Sequence, residues 1–179
     1  MGFAVADFDI AYRLTMKHEG GYANNKADRG GETYRGIARK FWSGWIGWPL
    51  VDDAKKQPGF PKSLDENLLL QAHVKAFYRN CFWPAFMSDL SNQELANWLF
   101  DKGVNMGIPQ AVKLLQRAIG AVDDGKYGAK TDAALKLALA EDSAGVLERC
   151  REHARSFYRQ LAANDPSQAQ FLNGWLKRA

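Results

Sequence analysis

Residues 17–37 read KHEGGYANNKADRGGETYRGI. This stretch joins a periodic apolar segment to a polar loop. Ahead of it, Phe8, Ala11, Tyr12 and Thr15 recur at helical spacing, which predicts an amphipathic helix. Asp7 is of the type that caps a helix start, and Gly20-Gly21 is of the type that stops one. Glu19 therefore falls where a rigid helix gives way to an open loop, and its small neighbours leave room for a ligand. The chain from Tyr22 to Tyr34 is rich in turn formers and predicts a loop or short hairpin.

That placement suits a general acid. A carboxyl at the end of a packed helix lies partly in apolar surroundings, which raise its pKa and keep it protonated. Asp28 sits among Asn24, Asn25, Lys26 and Arg29, a polar and partly cationic setting that favours the ionised form. One protonated and one ionised carboxyl are what glycoside hydrolysis requires. Thr33 adds a hydroxyl that could hold the attacking water. Plainer readings stand beside these. Glu19 alone could be a solvated surface group, and Asp28 a turn former bonding its own backbone. Glu32 could replace Asp28 as second carboxylate or pair with Arg35. Thr33 could be a helix N-cap.

HEGGY followed by DRGGETYRGI resembles the signature of glycoside hydrolase family 108. Those N-acetylmuramidases include phage-type lysins and the muramidases of typhoid-toxin secretion. More loosely, the pattern is similar to the Glu…Asp…Thr arrangement of phage lysozymes. The resemblance implies that Glu19 is the catalytic acid. Asp28 and Thr33 carry over from the looser pattern; the Glu19–Asp28 gap matches it, and the Asp28–Thr33 gap is one residue shorter. The implied reaction is cleavage of the β-1,4 bond between N-acetylmuramic acid and N-acetylglucosamine, with peptidoglycan strands as partner and no cofactor. Two other functions fit: a lytic transglycosylase, or a non-catalytic wall-binding or secretion-assisting protein.

A chain of 179 residues with net charge +4 makes one compact domain or two small ones. The small basic excess suits an anionic wall. The basic residues are dispersed, which argues against nucleic acid. No apolar stretch is long enough to cross a membrane. The start MGFAVADFDI lacks signal-peptide features, so the expectation is synthesis in the cytoplasm and action at the wall after release or export. Cys81 and Cys150 show no metal-ligand spacing, and His18, His73 and His153 are scattered, so no metal is expected. A monomer is expected.

Along the chain, residues 36–42 predict a short helix. Trp42, Trp45 and Trp48 follow at three-residue spacing beside glycines. Their flat faces could stack on sugars, or plug the base of a cleft as core, with at least one of them buried. Tyr22, Tyr34 and Trp45 are the candidate sugar contacts of the first half. Ser63 with Glu66 and Ser91 with Glu94 have capping-box spacing. The helix after Ser63 carries a stripe of Leu69, Ala72 or His73, Ala76 and Tyr78 or Asn80, and Trp83-Pro84 ends it. Taken together, the fold class is all-α and lysozyme-like, with a small hairpin or loop after the first helix. A catalytic domain spans 1–90 and a helical peptidoglycan-binding region spans 91–179. In that second half Asp124, Gly125, Gly128 and Thr131 are similar to the turn of peptidoglycan-binding modules and equally fit a structural turn. Asp101 and Asn105 share a helix face; they could line the groove or satisfy each other. Two helical stretches, 143–163 and 166–177, close the chain.

Overall fold

Asp7 starts the first helix, α1 (Phe8–Met16), as its N-cap. Its carboxylate accepts from the amides of Asp9 at 2.6 Å and Ile10 at 3.4 Å, satisfying donors that a helix start leaves orphaned. In this computed structural model residues 5–17, 20–24 and 31–179 are described. Phe8, Ala11 and Thr15 are buried along one face of α1, as the spacing predicts. Phe8 meets Trp83 and Phe100 edge-on at 5.5 and 5.6 Å, geometries that aromatic quadrupoles favour.

Three short antiparallel strands follow: β1 (Tyr22–Asn24), β2 (Glu32–Tyr34) and β3 (Ile37–Ala38), in that order. Tyr22 pairs with Tyr34 and Ala23 with Thr33; Tyr34 then pairs with Ile37. The two residues between β2 and β3, Arg35 and Gly36, have φ of 47° and 77°. Such a pair of left-handed residues is the two-residue turn that matches strand twist. The helix expected over 36–42 is therefore absent. A chain that has just made this turn emerges as a strand, and residues 39–41 continue in turns.

The remaining helices of the first half are α2 (Trp48–Ala54), α3 (Ser63–Glu66), α4 (Leu68–Phe82), α5 (Ala85–Ser88) and α6 (Gln93–Met106). Both capping-box readings are displaced. Ser63 lies inside α3, and the side chain that caps α4 is Asn67, accepting from Leu70 N at 3.0 Å. For α6, Asn92 accepts from Leu95 N at 2.9 Å, the position expected of Ser91. The buried stripe of α4 is Leu70, Val74 and Tyr78, while Leu69 is exposed. Trp83 caps the C-terminus of α4, as expected.

The chain divides into two compact units, Met1–Phe100 and Asp101–Ala179, with the division inside α6. The second unit contains α7 (Ile108–Ala118), α8 (Ala129–Asn164), a 3-10 turn (Pro166–Phe171) and α9 (Leu172–Arg178). Val146, Cys150, Ala154, Tyr158 and Ala162 are buried at four-residue intervals on α8. Arg149 donates to the carbonyl of Ala118 at 2.9 Å, which satisfies an orphan acceptor at the end of α7. Asp142 is non-helical, and its carboxylate accepts from Gly145 N at 2.8 Å. It breaks α8 and recaps it where a separate stretch from 143 was expected. Cys81 and Cys150 are both free. Among the described residues no helix is long and apolar enough to cross a membrane. The mainly helical expectation holds, with the small sheet its only strand content among the described residues.

Candidate active site

Helix α1 ends at Met16, three residues before Glu19 in the sequence, and its start is fixed. Gln93 clamps Asp7 twice: its Oε1 accepts from Asp7 N at 2.6 Å and its Nε2 donates to Asp7 O at 3.0 Å. Ala6 N donates to Leu90 O at 2.8 Å. The two carboxyls read as catalytic, Glu19 and Asp28, lie outside the described residues. Thr33 is described. It sits in mid-strand on β2, and its hydroxyl reaches the carbonyl of Ala23 at 3.5 Å. A strand position rules out the N-cap reading.

Glu32 lies next to Thr33 on β2, with its side chain 13 % exposed. Its carboxylate takes Lys55 Nζ at 2.5 Å, Arg39 Nε at 3.1 Å and the Tyr22 hydroxyl at 3.0 Å. The same two cations also hold Asp52, at 3.0 Å from Lys55 and 2.7 Å from Arg39. Acids and bases thus alternate around a closed ring of four charges. The Glu32–Arg35 pair, one of the two alternatives for Glu32, does not form, because Arg35 stands in the turn and binds Asp65 at 2.6 Å. The hydrogen bond from Arg39 holds Asp52 below the ordinary aspartate value. Burial pulls Lys55 down, but its bonds to Glu32 and Asp52 outweigh that and leave it raised. Tyr22 is raised by burial and then by donating to Glu32.

The candidate sugar contacts differ in what they present. Tyr22 is half-buried and stacks edge-on against Phe60 at 4.7 Å. Trp45 is half-buried, edge-on to Trp48 at 5.2 Å, and its ring lies where Gly47 would carry a side chain. Trp48 is the buried tryptophan of the trio, with Arg39 stacked 4.4 Å from its ring and its indole N–H donating to Trp42 O at 2.8 Å. Tyr34 is 1 % exposed. Its hydroxyl donates to Leu64 O at 3.3 Å and accepts from Gln71 at 2.7 Å.

In the second unit, Asp101 receives Arg178 through Nε and Nη2, both at 2.9 Å. Lys102, 1 % exposed, joins it at 2.9 Å and donates to the backbone carbonyl of Arg178. Burial lowers the pKa of Lys102 despite Asp101. Asn105 accepts from the Tyr158 hydroxyl at 2.9 Å, so Asp101 and Asn105 are each satisfied by other partners and not by one another. The turn at 124–128 closes on a residue the sequence did not single out. Gln116 is 1 % exposed, donates to Asp124, Lys126 O and Thr131 at 2.8, 3.1 and 3.0 Å, and accepts from Gly125 N at 2.8 Å. Gly125 has φ of 76°, and a side chain there would press on the Pro109 carbonyl. The structural reading of that turn is thereby accounted for. Gln116 gave no signal in sequence, because its partners lie 8–15 residues away across a helix end.

Comparison with known proteins adds the family. The model described as Glycosyl hydrolase 108 matches residues 12–107. The model described as Predicted Peptidoglycan domain matches residues 110–179. No curated protein matches the chain. A solved structure titled "Structure of Brucella abortus SagA" aligns with a TM-score of 0.65 at 24% identity, covering 96% of this chain and 88% of that one; at that identity the likeness is one of fold. A glycoside hydrolase region followed by a peptidoglycan domain gives the chain a peptidoglycan hydrolase role at the cell wall. With a match that takes in more than half its residues, the chain belongs to glycosyl hydrolase family 108.

Proposed function

We propose that this protein is an N-acetylmuramidase that cuts the β-1,4 bond between N-acetylmuramic acid and N-acetylglucosamine, with Glu19 as general acid. The observation that carries this reading is the family match over residues 12–107. It takes in Glu19 within HEGGY, three residues on in sequence from α1, whose start is doubly clamped. Asp28, with Thr33, orients the water or steadies the oxocarbenium-like transition state. Glu32 is the less suitable second carboxylate, because two cations and a tyrosine already occupy its oxygens. Tyr22 and Trp45 contact sugars, and Tyr34 acts by fixing β2. The first unit performs the cleavage. The second holds the wall, with Asp101 and Asn105 acting by fixing Arg178, Lys102 and Tyr158 within it, and the protein works as a monomer.

The test is digestion of purified peptidoglycan by wild type and Glu19→Gln, with products identified by mass spectrometry. Wild type should release muropeptides with reducing ends, and the variant should lose cleavage by about 1000-fold or more while keeping its fold, since the acid has no substitute. Anhydro products would make the protein a lytic transglycosylase. Sacculus binding without any fragments would make it a wall-binding protein. A carboxyl separation of roughly 6.5–9.5 Å between Glu19 and Asp28 would give inversion, and about 5 Å retention. NMR of the first-formed anomer reads which.

A further inference from the structure

The first unit holds a cavity of about 460 Å3, open to solvent, between α1, α4 and the Arg35 turn. Four cations line it: Arg13 and Lys17 from α1 and its C-cap, Lys75 from α4, and Arg35. Lys75 is paired with Asp9 at 2.8 Å and Arg35 with Asp65 at 2.6 Å. Arg13 and Lys17 have no ion pair among the described residues and are exposed. Tyr12 and Gln71 add polar edges to the wall.

Arg35 is the distinctive member. It has φ of 47°, a left-handed conformation that costs a non-glycine residue about 1–2 kcal/mol. Surrounding bonds hold it there: Tyr78 donates to its carbonyl at 2.6 Å and its amide donates to Gly21 O at 3.1 Å. Its Nε is buried with no acceptor among the described residues. Glycine would make the same turn without strain, so retaining an arginine implies a use for the guanidinium.

We infer that this cavity binds the carboxylates of the peptide stem attached to the muramic acid residue. The inference rests on the muramidase reading for its choice of ligand. In peptidoglycan the stem hangs from the muramyl sugar, the residue whose bond is cut, so its carboxylates lie beside the scissile linkage. Lys17 stands two residues before Glu19 in sequence. Guanidinium and ammonium groups take carboxylates through charge-assisted hydrogen bonds, and a cleft with surplus cations concentrates an anionic ligand.

The experiment has two arms. In the first, the free stem tripeptide L-Ala-γ-D-Glu-diaminopimelate is titrated into the full chain and followed by NMR, with its carboxyl-amidated form and inorganic phosphate as controls. The tripeptide should bind and weaken as salt rises; Arg13→Ala/Lys17→Ala should weaken it about tenfold, the loss expected for roughly 1.4 kcal/mol. No binding, equal binding of the amidated form, unchanged affinity in the variant, or tighter binding of phosphate would each overturn the inference. In the second, cleavage of sacculi is compared with cleavage of glycan strands stripped of peptide by an amidase. Wild type should favour the peptide-bearing polymer, and the variant's ratio should fall toward one; an unchanged ratio would overturn it. Peptide binding without any cleavage would sink the muramidase reading and leave the carboxylate site standing. Cleavage without peptide binding would do the reverse.

Discussion

The hairpin at 32–37 and the turn at 124–128 are both polar, glycine-bearing segments, yet they dispose of their polar groups in opposite ways. The turn closes on a single buried side chain. One buried amide, Gln116, reaches an aspartate, a carbonyl, a threonine and an amide N–H. The hairpin ties Glu32 into a ring with Lys55, Asp52 and Arg39, but holds an arginine where glycine would be easier, its Nε buried without an acceptor among the described residues. Closure of the first kind stabilises a shape. The unspent donor of the second leaves capacity for a ligand. The difference lies in which partners the fold supplies, since both segments read alike, each with an acid, a base, a tyrosine and glycine.

The strongest way to break this contrast is Gln116→Leu. It leaves three acceptors and one half-buried amide without their partner, so the second unit should lose about 2–4 kcal/mol in denaturant unfolding. A loss under about 1 kcal/mol would show that the turn does not depend on its glutamine. Next is Glu32→Gln, which removes the charge shared by Arg39 and Lys55. For a carboxylate this sheltered, about 1–3 kcal/mol is expected in chemical unfolding of the first unit. Arg35→Gly sharpens the contrast with a smaller effect. Strain relief of about 1 kcal/mol offsets the loss of a half-exposed ion pair worth about 0.2–1 kcal/mol. Its melting temperature should therefore stay near wild type while stem-peptide binding weakens. A large fall in stability would make Arg35 a structural residue.

The smallest effect is in acid. The Lys126 amide and then the Gln116 side chain hold the Asp124 carboxyl below the ordinary value. A depressed native value means that the unfolded state binds more protons in the window between the two values. The contribution is thus complete above the ordinary aspartate pKa and fades as the pH falls through the lower native one. Stability measured against pH should show a shallow acid-side loss that shrinks in Gln116→Leu. An unchanged acid limb in the variant would remove Gln116 from that effect.

Local chemistry was legible in the residues; partner choice was not. Asp7 was readable as a cap because an N-cap bonds amides two or three places on. Gly125 was readable as a turn for a similarly short-range reason. The caps at Asn67 and Asn92 were missed because a serine with a glutamate three residues later satisfied the pattern nearby. A run of three leucines hid the phase of α4, and only the fold shows that Leu70, not Leu69, faces inward. The hairpin at Arg35 was hidden for a physical reason. A left-handed arginine is unfavourable alone, and the bonds that hold it come from residues such as Tyr78, 43 positions away. At the site, the family was legible in 17–37 from its carboxyls and glycines. The Glu32 ring was not, since Lys55 and Asp52 join it from another helix.

Cys150 lies buried on the four-residue stripe of α8, and burial pushes its thiol up to about 12. At neutral pH almost none of it is thiolate, the form that attacks disulfides, alkylating reagents and peroxides. The lone cysteine of the second unit is therefore poorly placed for disulfide exchange. That unit's packing owes nothing to a crosslink that must form or survive there.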